Sequence, residues 1–283
     1  MGEEAKKEYI KKSVEFLDCY LDVLEDIIHK IQNNKDPKLY GANITIVLML
    51  FEFLKILDGV LVLIECKRFR ATITLVRSLI ELTLQIIFLC DDRDTVDEKD
   101  SCYKLFTIYK SRTAMEHDIH KQDLSKNVEY QKYKKFETES RNDYVKKKQS
   151  ELQNILKKPG YLNFWFSLYD KKLSSIRALI YRVKAGFYIE LLYGKLSQIT
   201  HGGDVISNIK INGNQLSLNN LDNIENGHFI LSIIANLMDL LFCKLDEFYS
   251  NPGEHIIFDM LPKNFINDQR VLYDEIKLLN NEL

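Results

Sequence analysis

Ser197 and His201 stand four residues apart in the stretch YGKLSQITHGG, Tyr193 to Gly203, where a mostly apolar helical pattern comes to its end. On a helix that spacing stacks a hydroxyl and an imidazole on one stripe, close enough for a hydrogen bond. A hydrolase could use Ser197 as nucleophile and His201 as base. That chemistry also needs an orienting acid and an oxyanion hole, and no G-x-S-x-G elbow occurs. Glu190, Tyr193 and Gly194 fall near the same stripe. Leu191, Leu192, Leu196 and Ile199 form the opposite face, which is expected to be core. The structural alternative is a polar tie inside a bundle, with His201 near a helix C-terminus, where a protonated imidazole is favoured.

A second polar pair lies in VRSLIEL. Arg77 and Glu81 are one turn apart, with Ser78 beside them, and Ile73, Leu75, Ile80, Leu82 and Leu84 flank them. A helix this apolar is buried on several sides, and a buried arginine must be paired. Removing one partner of such a pair costs about 3–5 kcal/mol. The pair is either a structural tie or a guanidinium held by Glu81 and aimed at an anionic ligand. The candidate catalytic set is therefore Arg77, Glu81, Ser197 and His201, and the candidate ligand-binding set is Arg77, Ser78 and Tyr193.

The stretch SRTAMEHDIHK carries Arg112 and His117 with four residues between. This resembles the R-x4-6-H motif of HEPN ribonucleases, in which arginine and histidine polarise and protonate RNA phosphates. The resemblance implies RNA cleavage without a metal. The plain alternative is an exposed helix end. His117 and His120, with Glu116 and Asp118, lack a second ligand cluster, so no metal is expected. ENGH, 225–228, matches the Glu-x-x-His of di-iron bundles, but those need two copies and two further glutamates. There is no glycine-rich phosphate loop and no paired C-x-x-C, and no cofactor is expected.

These residues must be positioned by helices. Val14, Leu17, Leu21, Leu24 and Ile28 repeat at helical spacing and predict a helix over 3–33. NNKDP breaks it, and further helices are expected at about 40–65, 68–90 and 96–118. Residues 121–158 are rich in Lys, Glu, Gln and Tyr and predict a charged helical arm, exposed or mobile. After Pro159-Gly160 come an aromatic cluster around Trp165, a short helix near 171–182 and the helix 185–201. VISNIKINGNQLSLNN alternates around Asn-Gly and reads as a hairpin. Helices at about 222–249 and 267–281 close the chain. The expected fold is an all-α multi-helix bundle, one domain over 1–283, with a small β-hairpin insertion after residue 205.

Composition agrees with that class. Of 283 residues, 46% are hydrophobic and 28% charged, with four prolines and eleven glycines, so long helices are favoured. A net charge of -2 gives no global case for nucleic acid or anionic lipid. Cys19, Cys66, Cys90, Cys102 and Cys243 are odd in number and lie mostly in apolar patterns, the usage of reduced cytoplasmic thiols. The opening MGEEAKKEYIKK has no apolar core, so no signal peptide is expected. Residues 44–66 and 73–90 are apolar enough to suggest membrane spans. However, Glu52, Lys55, Asp58, Arg77 and Glu81 at mid-span favour central helices of a soluble bundle, and no membrane partner is expected.

Taken together, ATITLVRSLIELTLQIIFL resembles an ARSLxE signature and FYIELLYGKLSQITHGG a YxxLSxxxH signature. Their order, with Trp165 between, resembles the bacterial family of unknown function numbered five-six-seven-seven over roughly residues 45–250. Thr74 and Val76 stand where that family commonly has small residues. The resemblance implies that Arg77, Ser78, Glu81, Tyr193, Ser197 and His201 form one polar cluster, with the two helices face to face. The family has no established activity. The first expectation is a cytoplasmic protein that binds a ligand or a partner protein in a bacterial stress or defence setting. The second is a HEPN-like ribonuclease using Arg112 and His117, or Arg77 and His201, with RNA and a homodimer as open partners. The third is a Ser–His hydrolase.

Overall fold

A computed structural model describes residues 3–118, 143–156, 164–200, 209–212, 215–218, 224–251, 254–261 and 265–281, with isolated helical positions at 128, 131 and 135. The helices are α1 (Glu3–Gln32), α2 (Tyr40–Glu65), α3 (Phe69–Leu89), α4 (Val96–Asp118), α5 (Asp143–Leu156), α6 (Phe166–Tyr169), α7 (Ile176–Arg182), α8 (Phe187–Thr200), α9 (Ile224–Tyr249) and α10 (Phe265–Asn281). A 3-10 turn, Phe258–Met260, precedes α10. Most helix ends fall within two residues of those expected from periodicity.

The helices fall into two compact units, residues 1–91 with 183–283 and residues 92–182. In the first unit α3 lies against α2, α8 and α9, and α1 lies against α2 and α10. Val76, Leu79, Ile80, Leu84, Ile86 and Phe88 of α3 are fully buried. α3 and α9 are long and apolar enough to cross a membrane by composition; their apolarity has a use here as mutually packed core helices. In the second unit α4 packs on α5 and α6, and Trp165 sets its ring edge-on to Tyr103 at 5.6 Å. Of the charged arm expected over 121–158, α5 is described: it buries Val145, and Lys148 donates to the carbonyl of Leu168 at 2.9 Å. The rest of that arm, except positions 128, 131 and 135, lies outside the described residues.

Local chemistry explains the breaks. In NNKDP, Asn34 accepts from the backbone of Asp36 at 2.8 Å, and Asp36 accepts from Lys38 at 3.0 Å. These side-chain turns mimic backbone turns and stop the helix. α2 ends with Arg68 N–H on the Leu63 carbonyl and Lys67 N–H on the Ile64 carbonyl. That pattern needs a left-handed residue at Lys67 (φ 59°), a position glycine fills more readily. At DDRD, Asp92 accepts from the Asp94 backbone and the Thr95 hydroxyl.

The described core is built of helices alone, and the hairpin expected after residue 205 is no part of it. Residues 209–212 and 215–218 run as two four-residue strands, paired Ile209 to Leu218 and Asn212 to Gln215, in no larger sheet. α2 also differs from the fully central helix expected. Tyr40, Ile44, Leu48 and Phe51 follow one another at successive turns and are 40–68% exposed.

Gly227, inside the ENGH stretch, has a packing role. A methyl group there would sit 2.6 Å from the Phe69 ring and 2.9 Å from the Tyr9 hydroxyl. Both side chains are buried and cannot swing away. Gly227→Ala is therefore expected to cost about 1–3 kcal/mol through overpacking. A urea midpoint unchanged from wild type would show that α9 does not approach α1 and α3 this closely.

Candidate functional site

Arg77 and Glu81 sit on the edge of α3, beside the buried stripe of Val76, Leu79, Ile80 and Thr83. α8 meets this edge with Ile189, Leu192 and Leu196 buried, and Tyr193 adjoins that stripe. Arg77 Nη2 lies 3.1 Å from Glu81 Oε1 and donates to Tyr193 Oη at 3.3 Å. Tyr193 Oη in turn donates to Glu81 Oε1 at 2.9 Å. The guanidinium carbon is 5.5 Å from the centre of the Tyr193 ring. Three polar groups thus close a triangle across the α3–α8 contact.

The electrostatics follow from this closure. The Arg77 and Glu81 side chains are 21% and 28% exposed, so the pair is sheltered without being sealed. Burial works against the Arg77 charge, but the bond to Tyr193 and the Glu81 carboxylate outweigh it and hold the guanidinium above its usual value. Burial pushes the Tyr193 phenol up, the bond from Arg77 opposes that, and the Glu81 carboxylate adds to it. Arg77 Nε is buried and has no hydrogen-bond partner.

The other expected site residues distribute differently. Ser78 donates to the Thr74 carbonyl at 3.2 Å, within its own helix. Ser197, one turn beyond Tyr193, is partly exposed and makes no hydrogen bond among the described residues. His201 lies outside the described residues. Arg112 and His117 lie along α4, in the other compact unit, and their side chains are outside the described set. Among the described residues no group of three or more His, Cys, Asp or Glu could hold a metal. Leu191 corrects the expected core face, since it is 58% exposed. The polar stripe of α8 runs beside the buried stripe rather than opposite it, and this is why Tyr193 reaches α3.

A cavity of about 500 Å³ opens elsewhere in the same unit, between α1, α9 and α10. Phe16 and Tyr20 of α1 form one wall, with ring centres 5.1 Å apart, and Phe265 stands edge-on to Tyr20 at 5.6 Å. Phe242, Phe258 and Tyr273 complete the aromatic lining. Asp246 fixes the approach of Phe258. It accepts from His255 Nδ1 at 2.9 Å, the Ile257 backbone at 2.8 Å and Ser250 at 3.0 Å. Desolvation opposes its charge, but these bonds prevail and hold its carboxyl below the usual range.

Polar groups also line this cavity. Gln269 is 6% exposed, and its Oε1 has no hydrogen-bond partner among the described residues. Asp239 keeps contact with solvent, and partial desolvation raises its carboxyl with no neighbouring charge to offset it. Arg270 is exposed. Tyr273 Oη meets His228 Nε2 at 3.2 Å, with the two rings stacked at 5.1 Å. Burial, and then Lys277, lower the His228 pKa. Sequence reasoning missed this site. Its available signal was Gln269 between Phe265 and Tyr273, a polar residue inside an apolar i, i+4, i+8 stripe.

The profile of a family of unknown function, DUF5677, matches residues 43–215. This is the numbered family of the two signatures; the match carries no HEPN resemblance. No curated protein and no solved structure matches the chain. The matched stretch contains Arg77, Glu81 and Tyr193, whereas every residue lining the cavity falls outside it.

Tyr193→Phe removes both phenol bonds while keeping the ring, and is expected to lower stability by about 1–2 kcal/mol. A double-mutant cycle with Arg77→Met should show coupling of about 0.5 kcal/mol or more; strict additivity would mean that the triangle does not form. His228 gives a pH signature. Its folded value lies below the ordinary 6.5, so the unfolded chain takes up a proton first as pH falls. Its contribution is complete above about pH 6.5 and declines on acidification below that. Compared by urea midpoints from about pH 8 to about pH 5, His228→Phe should lose less stability than wild type. Equal losses would contradict a neutral, packed His228.

Proposed function

The chain belongs to DUF5677, a family of unknown function, and from that premise we propose that it is a small-ligand-binding helical protein rather than a catalyst. The observation that carries the reading is the cavity of about 500 Å³ walled by α1, α9 and α10. Ligand pockets run to roughly 300–1,000 Å³, largely apolar, with a few placed polar groups. The aromatic walls with Asp239 and Gln269 meet that description.

On this reading the Arg77–Glu81–Tyr193 triangle is a structural pin. It fixes α8 to α3, whose far contacts with α2 and α9 support the unit that holds the cavity. A catalytic reading would need one of these groups to exchange protons with a substrate. Glu81 Oε1 already accepts from both Arg77 and Tyr193, and Ser78 is bonded within its own helix. The strand pair 209–218 is read as an insertion outside the helical frame.

A thermal-shift screen with a library of small fragments tests this. Hits are expected to raise the melting temperature of wild type, because a ligand that binds only the folded chain stabilises it by mass action. Ala235 lines the cavity, and Ala235→Trp should fill it and abolish those shifts. Hits that persist undiminished in a folded Ala235→Trp variant, or RNA cleavage that is lost in a folded Arg77→Lys variant, would overturn the reading.

A further inference from the structure

The chemistry of the cavity walls narrows what can occupy them. Three features bear on the choice. The first is the aromatic lining, in which Phe16, Tyr20 and Phe265 pack edge-to-face and present both ring edges and ring faces. Such surfaces bury flat apolar bodies, and ring faces attract cations. The second is Gln269, more than nine-tenths buried, whose carbonyl oxygen lacks any donor. A buried acceptor left unpaired is destabilising, so a donor supplied from within the cavity would recover part of that cost. The third is Asp239, a carboxylate in the lining with no ion pair among the described residues.

Resting on the ligand-binding reading above, we propose that the cavity takes an organic ammonium with a flat apolar body, its N–H groups directed to Asp239 and Gln269 Oε1 and its body among the rings. A neutral apolar ligand would bring no donor to Gln269 Oε1 and no counter-charge to Asp239. An anion would have the exposed Arg270 of α10 to draw on, but it would meet the Asp239 carboxylate of α9, exposed likewise, and would bring no donor to Gln269 Oε1. Desolvation raises the Asp239 carboxyl, and an ammonium brought against it offsets that cost. One buried acceptor without a donor among the described residues, beside a carboxylate and aromatic rings, matches an ammonium better than either alternative.

The test uses the full chain and two matched probes, tryptamine and indole-3-acetate, titrated by calorimetry. They share an aromatic body and differ in the sign of the charged group. Tryptamine is expected to bind saturably at one site per chain, and indole-3-acetate at least tenfold more weakly. Asp239→Asn, at a position open to solvent, should weaken tryptamine by roughly tenfold or more, the scale of a lost charge-assisted hydrogen bond. Gln269→Leu should weaken it severalfold, and Ala235→Trp should remove it. Because the buried Gln269→Leu variant could fail to fold, Asp239→Asn carries the decision. Equal binding of both probes, or tryptamine affinity unchanged in Asp239→Asn, overturns the ammonium assignment and leaves the binding reading standing. Binding of neither probe also overturns it, while the fragment screen decides separately whether the cavity binds anything.

Discussion

The burial of α3 is the constraint on which the first unit depends. Its apolar residues face more than one way, so a single neighbouring helix cannot cover them, and α2, α8 and α9 each pack against part of it. Area removed from water on several sides is the main stabilising term for such a helix. The arrangement dictates what the neighbours look like. α9 must be apolar along its contact and must carry glycine where it passes Phe69 and Tyr9. α8 must place a hydrogen-bonding side chain where α3 turns its Arg77–Glu81 ion pair outward.

That last requirement gives the Arg77–Glu81–Tyr193 triangle its form. An ion pair at the edge of a core is stable only if its remaining donors and acceptors are met as desolvation proceeds. The phenol of Tyr193 serves both partners, accepting from one and donating to the other, while its ring covers the guanidinium face. A serine at the same place could bond but could not cover. The triangle therefore joins a polar requirement to an apolar one, and it lies within the stretch that defines the family.

The cavity has a different origin. α1 and α10 pack together at one end of the unit, beside α9, and their large rings meet edge-on rather than interlocking completely. The turn held by Asp246 brings Phe258 to the rim. None of these elements belongs to the family stretch. The pin and the cavity are supplied by different parts of the chain and share one unit.

Periodicity alone was enough to locate most helices, because the 3.6-residue repeat of apolar side chains is written into the chain. NNKDP and DDRD mark breaks for equally local reasons, in side chains that bond their own backbone. The pairing of Arg77 with Glu81 was legible too, since i, i+4 spacing brings them together on any helix. The identity of their third partner was not. Tyr193 and Ser197 lie on neighbouring positions of one helix, and only the rotation of α8 against α3 decides which hydroxyl arrives. The same rotation exposes Leu191, which its composition assigned to the core. The cavity was beyond local reasoning altogether: Tyr20 comes from the first helix of the chain, whereas Asp239 and Gln269 come from its last two. Spacing along one helix is set by backbone geometry, whereas contact between helices is set by which surfaces exclude the most water when all of them pack at once.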